Sequence, residues 1–311
     1  MVPVLTFRPC PSDFDVSDTV SLDHPAAKWH DMSVHGMQMR AAIFSPRAFF
    51  LLFLYALTGV LTILGALRIQ NQTVIAPPTT TGGFGEAVFF VLLAVGMFFL
   101  FIRFLRSRLA LESIFSLALF IGTWWLGLSF FPAIPAFFCA LLITLLPFFI
   151  RRVAFHDLRI MTGAAGVALS IAWTFNPAGL LTIFFGMAIY DLAVVRPKGA
   201  LTVFVRELLK LRFIPGIMVP LKARGFGLRM DEALKDHSFI LGIGDLALPL
   251  ALVAQTAGIG VWRSCLVLLG ALLGLVFLLI RPSAEPRPAL PSLALGSGLV
   301  YLSLMAANHL L

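Results

Sequence analysis

Residues 239–253, FILGIGDLALPLALV, place one acid, Asp245, inside a long apolar run. An Asp at the centre of a membrane helix costs about 2.5 to 3.5 kcal/mol on insertion scales, so an acid in such a run indicates a functional site with a partner. A second apolar run, residues 178–195, ends in AIYDLAVV and carries Tyr190 and Asp191. No other apolar run encloses an acid as deeply. These two carboxylates are therefore the candidate functional pair.

The composition is that of a polytopic membrane protein. Of the 311 residues, 59% are hydrophobic and 12% are charged, whereas roughly 25% are charged in soluble domains. The net charge of +8 does not favour nucleic acid as a partner, because the bases lie in short segments between apolar runs. The three cysteines and six histidines show no metal-ligand spacing, and no Walker or GxGxxG loop occurs. We expect neither a metal nor an organic cofactor.

The apolar runs begin at Ala48, and most are close to the roughly 20 residues that cross a hydrocarbon core of about 30 Å. Nine spans are predicted, at residues 48–67, 84–102, 109–128, 131–150, 160–175, 178–195, 238–257, 261–280 and 289–310. Because irregular backbone and open sheet edges are excluded from lipid-facing positions, such segments must be helices. The predicted fold class is an all-α polytopic membrane protein with nine transmembrane helices.

The Lys and Arg residues predict the orientation of these spans. Of 23 bases, 21 lie in alternate segments, which are 1–47, 103–108, 151–159, 196–237 and 281–288. Only Arg68 and Arg263 fall on the opposite side. The positive-inside rule therefore predicts a cytoplasmic N-terminus and, after nine spans, an external C-terminus.

Three parts are expected along the chain. Residues 1–47 form a polar arm that is predicted to be disordered, residues 48–175 form a bundle of five spans, and residues 176–311 hold four spans and a cytoplasmic loop, 196–237. The arm lacks the pattern of a signal peptide. Met37 or Met39 is an alternative start.

The loop contains a basic amphipathic stretch, 202–211, followed by a short apolar piece, 213–221, that Pro215 and Pro220 interrupt. Nine residues are too few to span as a helix. Two interpretations remain open for the short piece. It lies on anionic headgroups, or it is an extended segment near the site that pairs with unfolded substrate.

The two acids are predicted to lie at similar depth. Asp191 precedes the cytoplasmic end of its span by four residues, about 6 Å, and Asp245 follows Ser238 by seven residues, about 10 Å. The ninth span starts on the same side with the sequence PALP. Its four residues are Pro288, Ala289, Leu290 and Pro291. All three motifs should therefore meet in the cytoplasmic half of the bilayer.

Two carboxylates close together in a low-dielectric site cannot both ionise, so they share a proton and act as an acid and a base. The ionised member can take a proton from water while the protonated member donates to a carbonyl oxygen. Gly242 and Gly244 remove side chains on the approach to Asp245, which permits close backbone approach and a break in the helix. This chemistry suits hydrolysis of a peptide bond.

AIYDLAVVRPKGAL, LGIGDLALP and PRPALP resemble the YD, GxGD and PAL motifs of the presenilin and signal peptide peptidase family of intramembrane aspartyl proteases. The orientation is similar to that of presenilins, and the compact length resembles a prokaryotic, archaeal homologue in a plasma membrane. The resemblance implies that Asp191 and Asp245 are catalytic, that Tyr190 and Gly244 shape their surroundings, and that PALP supports the site. It also implies single-span transmembrane proteins or peptides as substrates, within the lipid bilayer.

Two other classes of membrane protein share some of these features. A multipass ion- or proton-coupled transporter uses buried acids as readily, but inverted repeats are not seen in the hydropathy. Prepilin peptidases also resemble this family in their GxGD acid, but they usually carry a CxxC-rich domain that is absent here. Without the family, Tyr190 would be a packing aromatic and PALP an ordinary helix start.

Overall fold

The computed structural model describes residues 46–71, 108–194, 213–220, 223–235, 239–280 and 288–310, with Leu208 and short pieces between 85 and 96. The helices are α1 (Pro46–Asn71), α2 (Arg108–Leu128), α3 (Ala133–Phe149), α4 (Val153–Thr174), α5 (Pro177–Val194), α6 (Met230–Lys235), α7 (Ile243–Ala257), α8 (Val261–Ile280) and α9 (Leu290–Leu310). Two strands, β1 (Gly216–Val219) and β2 (Phe239–Gly242), and a 3-10 helix, Ala223–Gly227, complete the described elements. The predicted arm up to residue 45, most of span 84–102 and most of stretch 202–211 lie outside the described residues.

Five of the described helices are long and apolar enough to cross a membrane by length and composition, namely α1, α2, α5, α8 and α9. The surface of α1 fits this role, because large apolar side chains are exposed along one face. They are Phe49, Phe53, Leu57, Val60 and Leu64. Apolar patches of this extent are rare on soluble monomers. The protein is an integral membrane protein.

The predicted count of nine spans stays a prediction. Helices α3 and α7 are apolar but have only 17 and 15 residues. Helix α4 begins at Val153, not at the predicted residue 160, and so includes His156, Asp157 and Arg159 in its first two turns. Asp157, which lies in the predicted connecting segment 151–159, is buried and accepts the N–H of Met218 in β1.

The described residues are mostly helical, as predicted, but β1 and β2 form a two-stranded antiparallel sheet that the all-α prediction did not include. Gly216 faces Gly242 in the register of the two strands, and a Cβ at Gly216 would lie 2.2 Å from the backbone oxygen of Leu241. Glycine is therefore needed there for the strands to approach. The predicted seventh span, 238–257, is accordingly strand β2 followed by helix α7, whose 15 residues rise only about 22 Å.

Helix α7 lies at the centre of the protein. Its residues from Asp245 to Ala254 are all buried, as expected of a helix that is apolar on every side and packed among other elements. It contacts α4, α8, α1, α9 and α5. This central position fixes the start of α7, where Asp245 lies.

Candidate active site

Asp245 is located at the point where strand changes to helix. Strand β2 ends at Gly242, which is the N-cap of α7, and Asp245 occupies the first turn of that helix. The N-terminal end of a helix dipole stabilises a carboxylate. Pro249 has no N–H to donate to the carbonyl of Asp245, its partner four residues earlier, so that carbonyl loses its helical hydrogen bond. The carboxyl is 2% exposed, and its Oδ1 has no hydrogen-bond partner among the described residues.

Asp191 lies on α5, three residues before the helix ends at Val194. The start of this helix is fixed by Asn176, whose Oδ1 accepts the N–H of Gly179 at 2.8 Å, a typical N-cap. Asp191 is 2% exposed, and its carboxyl interacts electrostatically with that of Asp245. The structure thus brings together two buried acids from different helices. The C-terminal turn of a helix is an unfavourable place for a negative charge, so Asp191 needs a compensating donor.

That donor is the start of α9. The backbone N–H of Leu290 donates to Oδ2 of Asp191 at 3.3 Å. First-turn amides have no partner within their own helix, and a helix N-terminus attracts anions. Ala289 and Leu290 are fully buried, whereas Pro288 and Pro291 are half-buried. These residues were predicted to lie near the two acids, and the N–H of Leu290 bonds to Asp191, the acid of α5.

The other predicted residues lie close to these two acids in the chain and in space. Tyr190 is half-buried and its hydroxyl interacts electrostatically with Asp191. Gly242 is buried and Gly244 is half-buried in the first turn of α7. The start of α9 is held by close contact with α8, since a Cβ at Gly274 would lie 2.4 Å from the backbone oxygen of Ser292.

Two polar residues on α4 bind the sheet that leads to Asp245, and neither was predicted from the sequence. Nε2 of His156 donates to the carbonyl of Gly216 at 3.1 Å, and Oδ1 of Asp157 accepts the N–H of Met218 at 2.9 Å. Alternate residues of a strand direct their backbone groups to the same edge, so these bonds satisfy the edge of β1 that does not face β2. The carbonyl of Gly216 and the N–H of Met218 are therefore not free to pair with a substrate strand. The only available signal was three polar or charged residues within four positions near a helix start, His156, Asp157 and Arg159.

Within the described part of the chain, no group of three or more His, Cys, Asp or Glu side chains is arranged to hold a metal ion. The buried carboxyls of Asp191 and Asp245 interact electrostatically, and that of Asp191 accepts a backbone amide. Such an arrangement can bind and move protons.

Comparison with known proteins identifies the fold. No protein-family model and no curated protein matches the sequence. A solved structure of a presenilin-family intramembrane aspartate protease in space group C222 matches with a TM-score of 0.52 and 20% identity over 82% of this chain and 97% of that one. The chain has the presenilin fold. A structure of such a protease in space group P2 gives a TM-score of 0.53 and 19% identity over 82% and 96% of the two chains. At this identity the similarity establishes the presenilin fold, as the motifs predicted. The chemistry has to be inferred from the residues of the site.

Proposed function

We propose that this protein is an intramembrane aspartyl endopeptidase that hydrolyses peptide bonds of transmembrane helices. The observation that carries the proposal is the pairing of two carboxyls, each 2% exposed, from α5 and α7. Burying one acid is costly, and burying two together is a feature of sites that use a shared proton. The presenilin fold supports the same function.

The hydrogen bonds suggest a division of labour between the acids. Asp191 accepts the N–H of Leu290, and a donor of this kind is strongest toward an ionised carboxylate. The Asp245 carboxyl also accepts a backbone N–H, that of Gly242, but its Oδ1 is buried without a partner among the described residues, which suits a protonated oxygen better than a charged one. We therefore assign Asp191 as the base and Asp245 as the acid. Water attacks the carbonyl carbon and gives a proton to Asp191, while Asp245 protonates the carbonyl oxygen. When the carbon–nitrogen bond breaks, the proton on Asp191 passes to the leaving amine and the gem-diol returns a proton to Asp245.

We extend the proposal to the domain organisation, the membrane topology and the substrates. The catalytic part is residues 176–311, with YD, GxGD and PALP as its motifs, and residues 48–175 form the supporting bundle. Nine spans place the N-terminus in the cytoplasm and the C-terminus outside a prokaryotic plasma membrane. The substrates are single-span transmembrane proteins or peptides, and the reaction needs neither a metal nor an organic cofactor.

The test is cleavage of a single-span substrate by purified protein in detergent, with products identified by mass spectrometry. Asp191→Asn and Asp245→Asn are nearly isosteric, but Asn can be neither base nor acid. Each variant should abolish cleavage and keep the fold, and the parent's activity should be bell-shaped in pH because both a base and an acid are required. Cleavage near the parental rate by either variant would overturn the proposal. Ion flux into liposomes by a parent protein that cleaves nothing would favour a transporter.

A further inference from the structure

Tyr55, on α1, is a polar side chain in the core that the proposed mechanism does not use. It is fully buried, and its hydroxyl has no hydrogen-bond partner among the described residues. A buried hydroxyl without a partner destabilises the folded protein. Such a group in a native protein calls for an explanation, and a functional one is common.

Other buried hydroxyls around Tyr55 do have partners. Thr58 donates to the carbonyl of Leu54 at 2.7 Å, and Thr62 donates to the carbonyl of Thr58 at 2.9 Å. Tyr301, on α9, donates to the side chain of Gln255. Thr144, on α3, also has a buried hydroxyl without a partner among the described residues, so what distinguishes Tyr55 is its location.

The location of Tyr55 supplies the explanation. Helix α1 packs against α7, and the Tyr55 hydroxyl interacts electrostatically with the Asp245 carboxyl. Oδ1 of Asp245 is likewise buried without a partner among the described residues. Two buried oxygens without partners among the described residues thus lie on two helices that pack against each other.

We propose that the Tyr55 hydroxyl is a catalytic hydrogen-bond donor that binds the oxygen of the scissile carbonyl together with the acid Asp245. This inference rests on the proposed protease function. A carbonyl oxygen accepts two hydrogen bonds, so one substrate oxygen satisfies both unpaired groups. Negative charge develops on that oxygen when water attacks, and donors that are already in place stabilise it without reorganisation. Tyr55 keeps its proton throughout, and the proton that is transferred comes from Asp245.

Tyr55→Phe tests this role because it removes one oxygen and keeps the ring. We expect kcat on a single-span substrate to fall by about 100- to 1000-fold, the usual effect of losing one such donor. KM should change by less than about threefold, because the bond acts mainly in the transition state. The melting temperature should stay the same or rise, since the hydroxyl has no protein partner to lose.

Thr58→Val and Tyr301→Phe are matched controls, since each removes one buried hydroxyl outside the site and should leave kcat within about threefold of the parent. The inference is overturned if Tyr55→Phe keeps its kcat, if it changes KM alone, or if it loses as much stability as Tyr301→Phe. A failure of the underlying function looks different, because Asp245→Asn would then still cleave. If Asp245→Asn is inactive while Tyr55→Phe is fully active, only the role of Tyr55 is rejected and the proposed protease function stands.

Discussion

The backbone N–H of Leu290 donates a hydrogen bond to Oδ2 of Asp191 across 99 positions of sequence. A hydrogen bond to a charged group is worth about 1.5 to 3 kcal/mol. Leu290→Pro deletes this donor, and Pro is well tolerated in the first turn of a helix. We therefore expect kcat/KM to fall by roughly 10- to 150-fold, the equivalent of that energy, in a cleavage assay on folded protein.

Leu290→Ala separates the amide from the side chain. It keeps the N–H and removes apolar atoms that are fully buried, so it should lower the free energy of unfolding by about 2 to 5 kcal/mol. Its kcat/KM should stay well above that of Leu290→Pro. Equal activity of the two variants, at equal amounts of folded protein, would mean that the amide does not act on Asp191.

The sequence predicted much of this site because an acid in an apolar run is costly and therefore informative. Counting residues from the ends of the spans placed Asp191, Asp245 and PALP at one depth, and the structure brings the two acids and Leu290 together. The presenilin-like fold is confirmed by solved structures. The catalytic roles stay predictions.

The remaining features of the fold and the site depend on pairings between distant segments, which hydropathy does not encode. The piece 213–221 is too short to span and too apolar for an ordinary loop, and only its pairing with β2 explains it. His156 and Asp157 lie in the predicted connecting segment 151–159, and their partners are backbone groups some 60 positions away in the chain. Tyr55 could not be recognised from the sequence, because an aromatic residue in a span is normally a packing residue. Partners from distant segments become visible only in three dimensions.

Asp157 should be important as a hydrogen-bond acceptor and not as a charge. Asp157→Asn keeps an oxygen for the N–H of Met218 and should retain activity and stability to within about 1 kcal/mol. Asp157→Leu leaves that buried N–H unpaired and should lower the free energy of unfolding by about 1 to 3 kcal/mol. Because β1 pairs with β2, which leads directly to Asp245, cleavage by the folded Leu variant should also decrease.

Thermal unfolding and cleavage rates of the two Asp157 variants are measured side by side. If Asp157→Asn and Asp157→Leu lose equal stability and equal cleavage rate, the negative charge itself matters and this interpretation is wrong. Full activity of the Leu variant would show that the bond to Met218 does not hold the sheet in place. His156→Phe, which removes the donor to Gly216, should resemble Asp157→Leu.

Gly216 should tolerate no side chain, because it faces Gly242 at the end of the strand that leads into α7. A Cβ at this position would lie 2.2 Å from the oxygen of Leu241 and 3.1 Å from the Cα of Gly242. Both neighbours are backbone atoms, so the strands themselves must separate. We expect Gly216→Ala to cost about 1 to 3 kcal/mol of stability, as other overpacked sites do, and to displace the N-terminus of α7.

Gly227→Ala is the matched control, since no atom lies within 4 Å of a Cβ built there and the residue is exposed at the end of the 3-10 helix. Its stability should change by no more than about 0.5 kcal/mol, and its cleavage rate should be parental. For Gly216→Ala, kcat should fall in the fraction that remains folded, because Asp245 follows Gly242 by three residues and moves with it. If both Ala variants cleave at the parental rate, the close pairing of β1 with β2 is not what positions Asp245. Loss of stability in Gly216→Ala with an unchanged kcat would limit the sheet to a folding role.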